Sequence, residues 1–85
     1  MMIVEREIRA IPLWLLCEYL EQLGGRVASD GWLYGAGWAA RLTQIDDYQI
    51  GSLRVGQVRL ELSGDAEAVA QLQAALEPQL QRAGG

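Results

Sequence analysis

Residues 26–62 constrain the fold most, because nearly all of the strand-like sequence lies in this one segment. Glycines and short polar turns divide it into stretches in which apolar and polar residues alternate, as in half-buried strands. We expect four short antiparallel strands here, packed under two helices that the rest of the chain supplies.

An additional strand and a helix precede this segment. Residues 2–10 alternate between apolar and charged side chains, with Arg6 on the apolar side, where its stem can pack while its head reaches the edge. Pro12 is suited to the start of a helix, and Gly24 and Gly25 are suited to its end. An apolar stripe runs between them at spacings of three and four: Leu13, Leu16, Cys17, Leu20 and Leu23.

Three large side chains lie on the flanks of this stripe, namely Trp14, Leu15 and Tyr19. One interpretation is that they cover the margin of the sheet. The alternative is that they form a contact for a protein partner, because Trp and Tyr are enriched where proteins dock. Cys17 lies on the stripe itself, which favours a buried structural thiol over a reactive one.

Turn signals set the expected strand boundaries. The sequence Ser29-Asp30-Gly31 predicts a bend or bulge within the second strand, and Asp46-Asp47 predicts a later turn. The apolar parity changes at Gly56, which a continuous strand cannot do without a bulge. We therefore predict a hairpin that turns at Val55-Gly56, with strands over residues 48–54 and 57–62. Two adjacent acids in a turn supply too few oxygens for a hard cation.

Arg41 and Arg59 are expected to point away from the core, and Arg54 could join them. Such arginines could hold a small carboxylate or phosphate by paired hydrogen bonds. The alternative is a solvated face that Glu61 and Asp47 balance.

The last helix is predicted to begin near Asp65, a good N-cap, with Glu67 in its first turn. Pro78 removes one backbone hydrogen bond and predicts a kink or a new helical turn. The apolar stripe of this helix consists of Val69, Leu72, Leu76 and Leu80.

Composition excludes several classes of function. The 85 residues include no His and no Lys, so Ser/His/Asp and Cys/His catalysis, imidazole metal sites and Schiff-base chemistry are ruled out within one chain. The formal net charge of −4 opposes binding to nucleic acid. We expect no enzyme activity, no cofactor and no metal.

No apolar run approaches the roughly 18 residues that cross a bilayer, so we expect no membrane association. The N-terminal residues include acids where a secretory signal would be basic, and the single cysteine suits a reducing compartment. We expect one small cytoplasmic α+β domain over residues 1–85.

The order β-α-β(4)-α, an antiparallel sheet with two helices on one face, is that of the TATA-binding-protein-like fold. The strand from Trp38 to Leu42, the segment from Ile50 to Gly56 and the glycine-ended first helix make the chain resemble a little-characterised bacterial domain. That domain is the extra C-terminal part of proteins related to MoaD, the sulfur-carrier subunit of molybdopterin synthase. The resemblance implies an accessory or interaction domain and no active-site residues.

Gly84 and Gly85 end the sequence, and ubiquitin-like sulfur carriers also end in two glycines. In those carriers a strand precedes the glycines, whereas a helix is predicted here. Two hypotheses follow. The first is a non-enzymatic module that associates with a protein partner or with itself as a homo-oligomer. The alternative is a carrier activated at its terminal diglycine, or a binder of small anions at Arg41 and Arg59.

Overall fold

The computed structural model describes residues 1–83, in which five strands form one antiparallel sheet in the order β1-β5-β4-β3-β2. The elements along the chain are β1 (Met2–Arg9), α1 (Leu13–Gln22), β2 (Arg26–Val27), β3 (Leu33–Gly35), β4 (Trp38–Ile50), β5 (Leu53–Gly64) and α2 (Ala66–Arg82). The α+β class and the order of elements predicted from the sequence are confirmed.

One hydrophobic core lies between the sheet and the helices. Because α1 and α2 contribute to the same cluster of buried side chains, both helices cover the same face of the sheet. The opposite face, which we call the open face, carries no helix of the described residues. The largest side chains with almost no exposure are Leu16, Leu20, Leu60, Leu62 and Leu76.

The helix boundaries follow the predicted signals. Pro12 is extended immediately before α1, and Gly24 takes a φ of +103° just after it, a conformation that glycine adopts without strain. The carboxylate of Asp65 accepts a hydrogen bond from the backbone N–H of Ala68 at 3.3 Å, as an N-cap does. α2 continues through Pro78 to Arg82, so no new helix starts at the proline.

The edge strand β1 is tied to α2 by an ion pair. Arg6 lies on the helix side of β1, and its guanidinium donates to the carboxylate of Glu77 at 2.8 Å. The expected placement of Arg6 on the apolar side of β1 is confirmed. Both side chains are partly exposed, so the pair stabilises the fold by less than about 1 kcal/mol.

In the structure, the second predicted strand is divided into two strands, β2 and β3. A turn separates β2 from β3, and Asp30 organises it by accepting hydrogen bonds from the backbone N–H of Trp32 at 2.9 Å and from the Tyr34 hydroxyl at 2.7 Å. The hydrogen bond from Trp32 contributes most to lowering the pKa of the Asp30 carboxyl group, and the hydrogen bond from Tyr34 lowers this pKa further. The predicted role of Ser29-Asp30-Gly31 as a bend is confirmed.

The predicted turns at Asp46-Asp47 and at Val55-Gly56 are wrong. β4 continues past Asp46 and Asp47, which lie in a bulge opposite the single residue Gly56. The chain reverses instead at Gly51, where φ is +57°, between the paired residues Ile50 and Leu53. The predicted strand 48–54 is therefore divided between β4 and β5, and the predicted strand 57–62 lies inside β5.

Hydrogen bonds from side chains hold the bulge. The amide of Gln57 donates to the backbone carbonyl of Asp46 at 3.0 Å, and the amide of Gln44 donates to the carbonyl of Gln57 at 2.9 Å. These bonds partner backbone oxygens where the regular ladder is interrupted, which explains why two consecutive acids can stay within a strand.

Candidate functional site

The candidate functional sites described below are surface features of residues 1–83. Within residues 1–83, no group of three acidic or thiol side chains could hold a metal ion. In the part of the chain that the structure describes, neither helix combines the length and the apolar character that crossing a membrane requires. We therefore describe the places that the sequence singles out, and one that it does not.

The outer side of α1 presents one large exposed aromatic side chain. Trp14 is 65% exposed, whereas Leu15 and Tyr19 are half-buried and pack against the core. Helical spacing sets Glu18 and Glu21 on the same side as Trp14, one and two turns further along, and both are exposed. We call Trp14, Glu18 and Glu21 the Trp14 surface; it combines an apolar anchor with negative charge.

The thiol of Cys17 is half-buried, next to the Trp14 surface. Its Sγ atom lies 3.8 Å from Oε1 of Glu21. Partial burial raises the pKa of the Cys17 thiol, and the neighbouring Glu21 carboxylate raises this pKa further. This environment favours the neutral thiol over the thiolate that nucleophilic chemistry needs.

Arg59 lies on the open face among acids. Its Nε atom is 3.5 Å from Glu5, and its Nη2 atom is 3.9 Å from Glu7. Nε is buried and makes no hydrogen bond of good geometry. The guanidinium group is therefore held by two carboxylates of the neighbouring strand β1, and an added anion would have to compete with them.

Arg41 also lies on the open face but has different neighbours. It is the cross-strand partner of Glu61, and its guanidinium carbon is 5.8 Å from the centre of the Trp32 ring. Arg59 is paired with Thr43, one step along the ladder from the Arg41–Glu61 pair. Arg54 pairs with Gln49, and the alternation of side chains sets it on the other side of the sheet, so it does not join them.

A further candidate place is an apolar surface that sequence reasoning missed. Beyond the bulge, residues 48–55 form the end of the β4–β5 hairpin, which we call the arm. Because the bulge adds one residue to β4, the side chains that follow it exchange faces. Tyr48 pairs with Val55 and Ile50 with Leu53, all four on the open face. Ile50 is 56% exposed and Leu53 is 67% exposed.

The signal for this surface was the parity change at Gly56, which predicted a turn. β5 in fact continues, so Leu53 and Val55 point away from the core on which Val58 and Leu60 pack. The helix side of the arm is polar, with Gln49 opposite Arg54. The arm is therefore amphipathic in the opposite sense to the rest of the sheet.

Gly84 and Gly85, the predicted site of C-terminal activation, lie outside the described residues. α2 ends at Arg82, so a helix precedes the two glycines, as predicted.

Comparison with known proteins identifies the family of this chain. No curated protein matches the sequence. A protein-family model described as archaeal MoaD-like protein matches residues 4–85, which is nearly the whole chain. The resemblance to MoaD-related proteins is thereby confirmed, and the chain belongs to the archaeal MoaD-like protein family.

Proposed function

We propose that this chain is a non-enzymatic accessory domain that binds a protein partner through the Trp14 surface. The observation that carries the proposal is the 65% exposure of Trp14 on a helix whose other large apolar side chains are buried or half-buried. Exposed tryptophans are costly to hydrate and are enriched among the residues that contribute most to protein interfaces.

The acids beside Trp14 define the chemistry of the partner. Glu18 and Glu21 lie on the same side of α1 and are exposed. A matching partner presents an apolar pocket for the indole ring, with Arg or Lys side chains at its rim. Family membership supports a partner among the MoaD-type sulfur carriers or the enzymes that act on them. Leu15 and Tyr19 are half-buried against the core, so Trp14 is the exposed apolar anchor of this surface.

The test is calorimetric titration of the domain with a purified MoaD-type sulfur carrier, and separately with the enzyme that adenylates it. We expect Trp14→Glu to abolish binding, Trp14→Phe to retain most of it, and Glu18→Arg to weaken it. Val27→Glu, a change at an exposed apolar residue on β2, is the matched control. Absence of binding to both proteins, or binding that Trp14→Glu leaves intact, would contradict the proposal.

A second candidate function is that of a sulfur carrier activated at the carboxylate of Gly85. The observation that favours it is the family match, which extends through Gly84 and Gly85. The function requires Gly85 to be the C-terminus of the mature protein. We would capture partners with an N-terminally tagged chain, with and without the two glycines, and record the intact mass from cells supplied with sulfur. A thiocarboxylate mass, or an adenylating enzyme captured only by the intact chain, would replace our first proposal.

Three narrower predictions go with this proposal. The order of elements supports the TATA-binding-protein-like topology, the single cysteine supports a cytoplasmic protein, and a bacterial source stays a prediction. A small anion at Arg41 and Arg59 stays a prediction, and NMR titration with phosphate tests it. Glu5, Glu7 and Glu61 already neighbour the two arginines. We therefore expect a dissociation constant for phosphate in the millimolar range or higher.

A further inference from the structure

The open face of the sheet differs from the rest of the surface in charge. Among strand residues, register sets four of the seven arginines on this face but only three of the eleven acids. They are Arg9, Arg26, Arg41, Arg59, Glu5, Glu7 and Glu61. Since the whole chain carries a net charge of −4, the surplus of negative charge lies elsewhere. Two copies of the chain can meet at the open face without net repulsion.

The open face also carries an apolar surface at one end, formed by Tyr48, Ile50, Leu53 and Val55 of the arm. This surface is on the open side of the sheet, whereas the core lies on the other side. Ile50 and Leu53 are therefore exposed. An isolated two-stranded hairpin with an uncovered apolar face is marginal in water. Something that covers the arm would stabilise it.

We infer that a second copy of this chain covers the arm, and that the protein is a dimer with the two open faces in contact. The cross-strand pairs of the β4–β5 ladder carry this inference. Leu53 is paired with Ile50, Val55 with Tyr48, and Glu61 with Arg41. Each pair joins either two apolar side chains or two opposite charges.

A two-fold axis along this ladder therefore gives a self-complementary interface. Rotation about that axis sets β5 of one copy over β4 of the other, as in two aligned sheets about 10 Å apart. Leu53 then faces the partner's Ile50, and Glu61 faces the partner's Arg41. The same operation matches Val55 with the partner's Tyr48, so apolar side chains meet apolar ones over the whole arm.

The available area is adequate for a stable dimer. The 13 residues of β4, which include the extra residue of the bulge, span about 40 Å or slightly less, and the β4–β5 ladder with its flanking strands is about 15 to 20 Å wide. The open face thus offers about 700 Å² per copy, near the 800 Å² of a standard interface. The α1 helix lies on the opposite side of the sheet, so the dimer leaves both Trp14 surfaces accessible, and the two proposals can fail separately.

Sedimentation equilibrium over a concentration series tests the dimer. We expect wild type to dimerise, and Leu53→Asp to raise the dissociation constant at least about tenfold, because it sets a charge against the partner's Ile50. Val27→Asp, which changes an exposed apolar residue outside the open face, is the control and should leave dimerisation unchanged. Dispersed amide spectra would confirm that each variant is folded. A wild-type monomer at all concentrations overturns the inference, as does a dimer that Leu53→Asp does not weaken.

Charge reversal provides a second test that does not depend on the arm. Arg41→Glu and Glu61→Arg should each weaken dimerisation, and the two together should restore it.

In a Cys17→Ser background, a mixture of Leu53→Cys and Ile50→Cys chains should form mixed disulfides in preference to disulfides between identical chains. Predominance of the identical pairs would exclude the two-fold axis that we propose.

Discussion

The guanidinium carbon of Arg9 lies 3.6 Å from the centre of the Tyr48 ring, so the end of β1 contacts the first residue of the arm across the intervening strand β5. The Nε atom of Arg9 also donates to the side-chain carbonyl of Gln57 at 3.0 Å. Gln57 in turn donates to the backbone carbonyl of Asp46 in the bulge. A chain of side-chain contacts on the open face therefore links the edge strand to the bulge and to the start of the arm.

Replacement of Arg9 tests this link. We expect Arg9→Ala to lower the free energy of unfolding by about 1 kcal/mol, because it removes an exposed cation–π contact and a hydrogen bond. Amide exchange should accelerate most in residues 48–55, which the contact holds. Denaturant unfolding and hydrogen exchange measure the two effects. Arg26→Ala, at an exposed arginine on β2, is the control, and equal exchange rates in the arm of both variants would contradict the link.

Gly64 pairs with Trp38, where the end of β5 meets the start of β4. Its φ is +142°, and a Cβ atom there would lie 2.3 Å from the carbonyl oxygen of Gly37. Because a backbone oxygen cannot move aside as a flexible side chain can, we expect Gly64→Ala to destabilise the fold by about 3 kcal/mol or more.

Gly51→Ala is the matched comparison for Gly64→Ala. Gly51, in the hairpin turn, also has a positive φ, but a Cβ atom there would have no other atom within 4 Å. Only the left-handed backbone is then unfavourable, at about 1 kcal/mol. Equal midpoints of urea unfolding for the two variants would show that the contact with Gly37 is not the cause.

The sequence predicted those parts of the fold in which local signals agree with packing. The stripes of α1 and α2, the glycine after α1 and the Asp65 N-cap each act within one or two turns of chain, and all are where they were expected. The class of the domain follows from these elements, because two amphipathic helices and a one-sided sheet can bury their apolar faces only against each other.

The errors arose at the bulge, where local and long-range terms conflict. The intrinsic propensity of Asp46-Asp47 favours a turn. The side chain of Gln57, eleven residues from Asp46, nevertheless donates to the Asp46 carbonyl and keeps the strand continuous. A periodic pattern cannot reveal a hydrogen bond between distant residues. The parity change at Gly56 was detected correctly, but a turn and an inverted arm give the same pattern of sequence, and only the register distinguishes them.

The cap of α2 can be tested by one substitution and its conservative partner. Asp65 accepts from the Ala68 N–H and carries its charge at the positive end of the helix dipole. We expect Asp65→Ala to reduce the free energy of unfolding by about 1 kcal/mol. Asp65→Asn keeps an acceptor and should lose only a few tenths of that amount. Thermal unfolding followed by circular dichroism would measure both, and an equal loss in both variants would assign the effect to charge alone.

The thiol of Cys17 gives a prediction with a defined sign in pH. Its pKa is raised by partial burial first and then by the Glu21 carboxylate. At a given pH near its titration, Cys17 is therefore less ionised than a free cysteine and should react more slowly with iodoacetamide. Because the pKa is raised on folding, the neutral thiol stabilises the fold below the pKa of the unfolded chain, and this stabilisation is lost as pH rises through the folded pKa.

Glu21→Gln separates the two causes. Removal of the charge should move the pH–rate profile of Cys17 alkylation to lower pH, toward but not reaching that of a free cysteine, since partial burial remains. Glu18→Gln, which changes a neighbouring acid of the same helix, should move the profile less. A profile that Glu21→Gln leaves unchanged or moves to higher pH would mean that Glu21 does not act on the thiol, and burial alone would then explain the slow reaction.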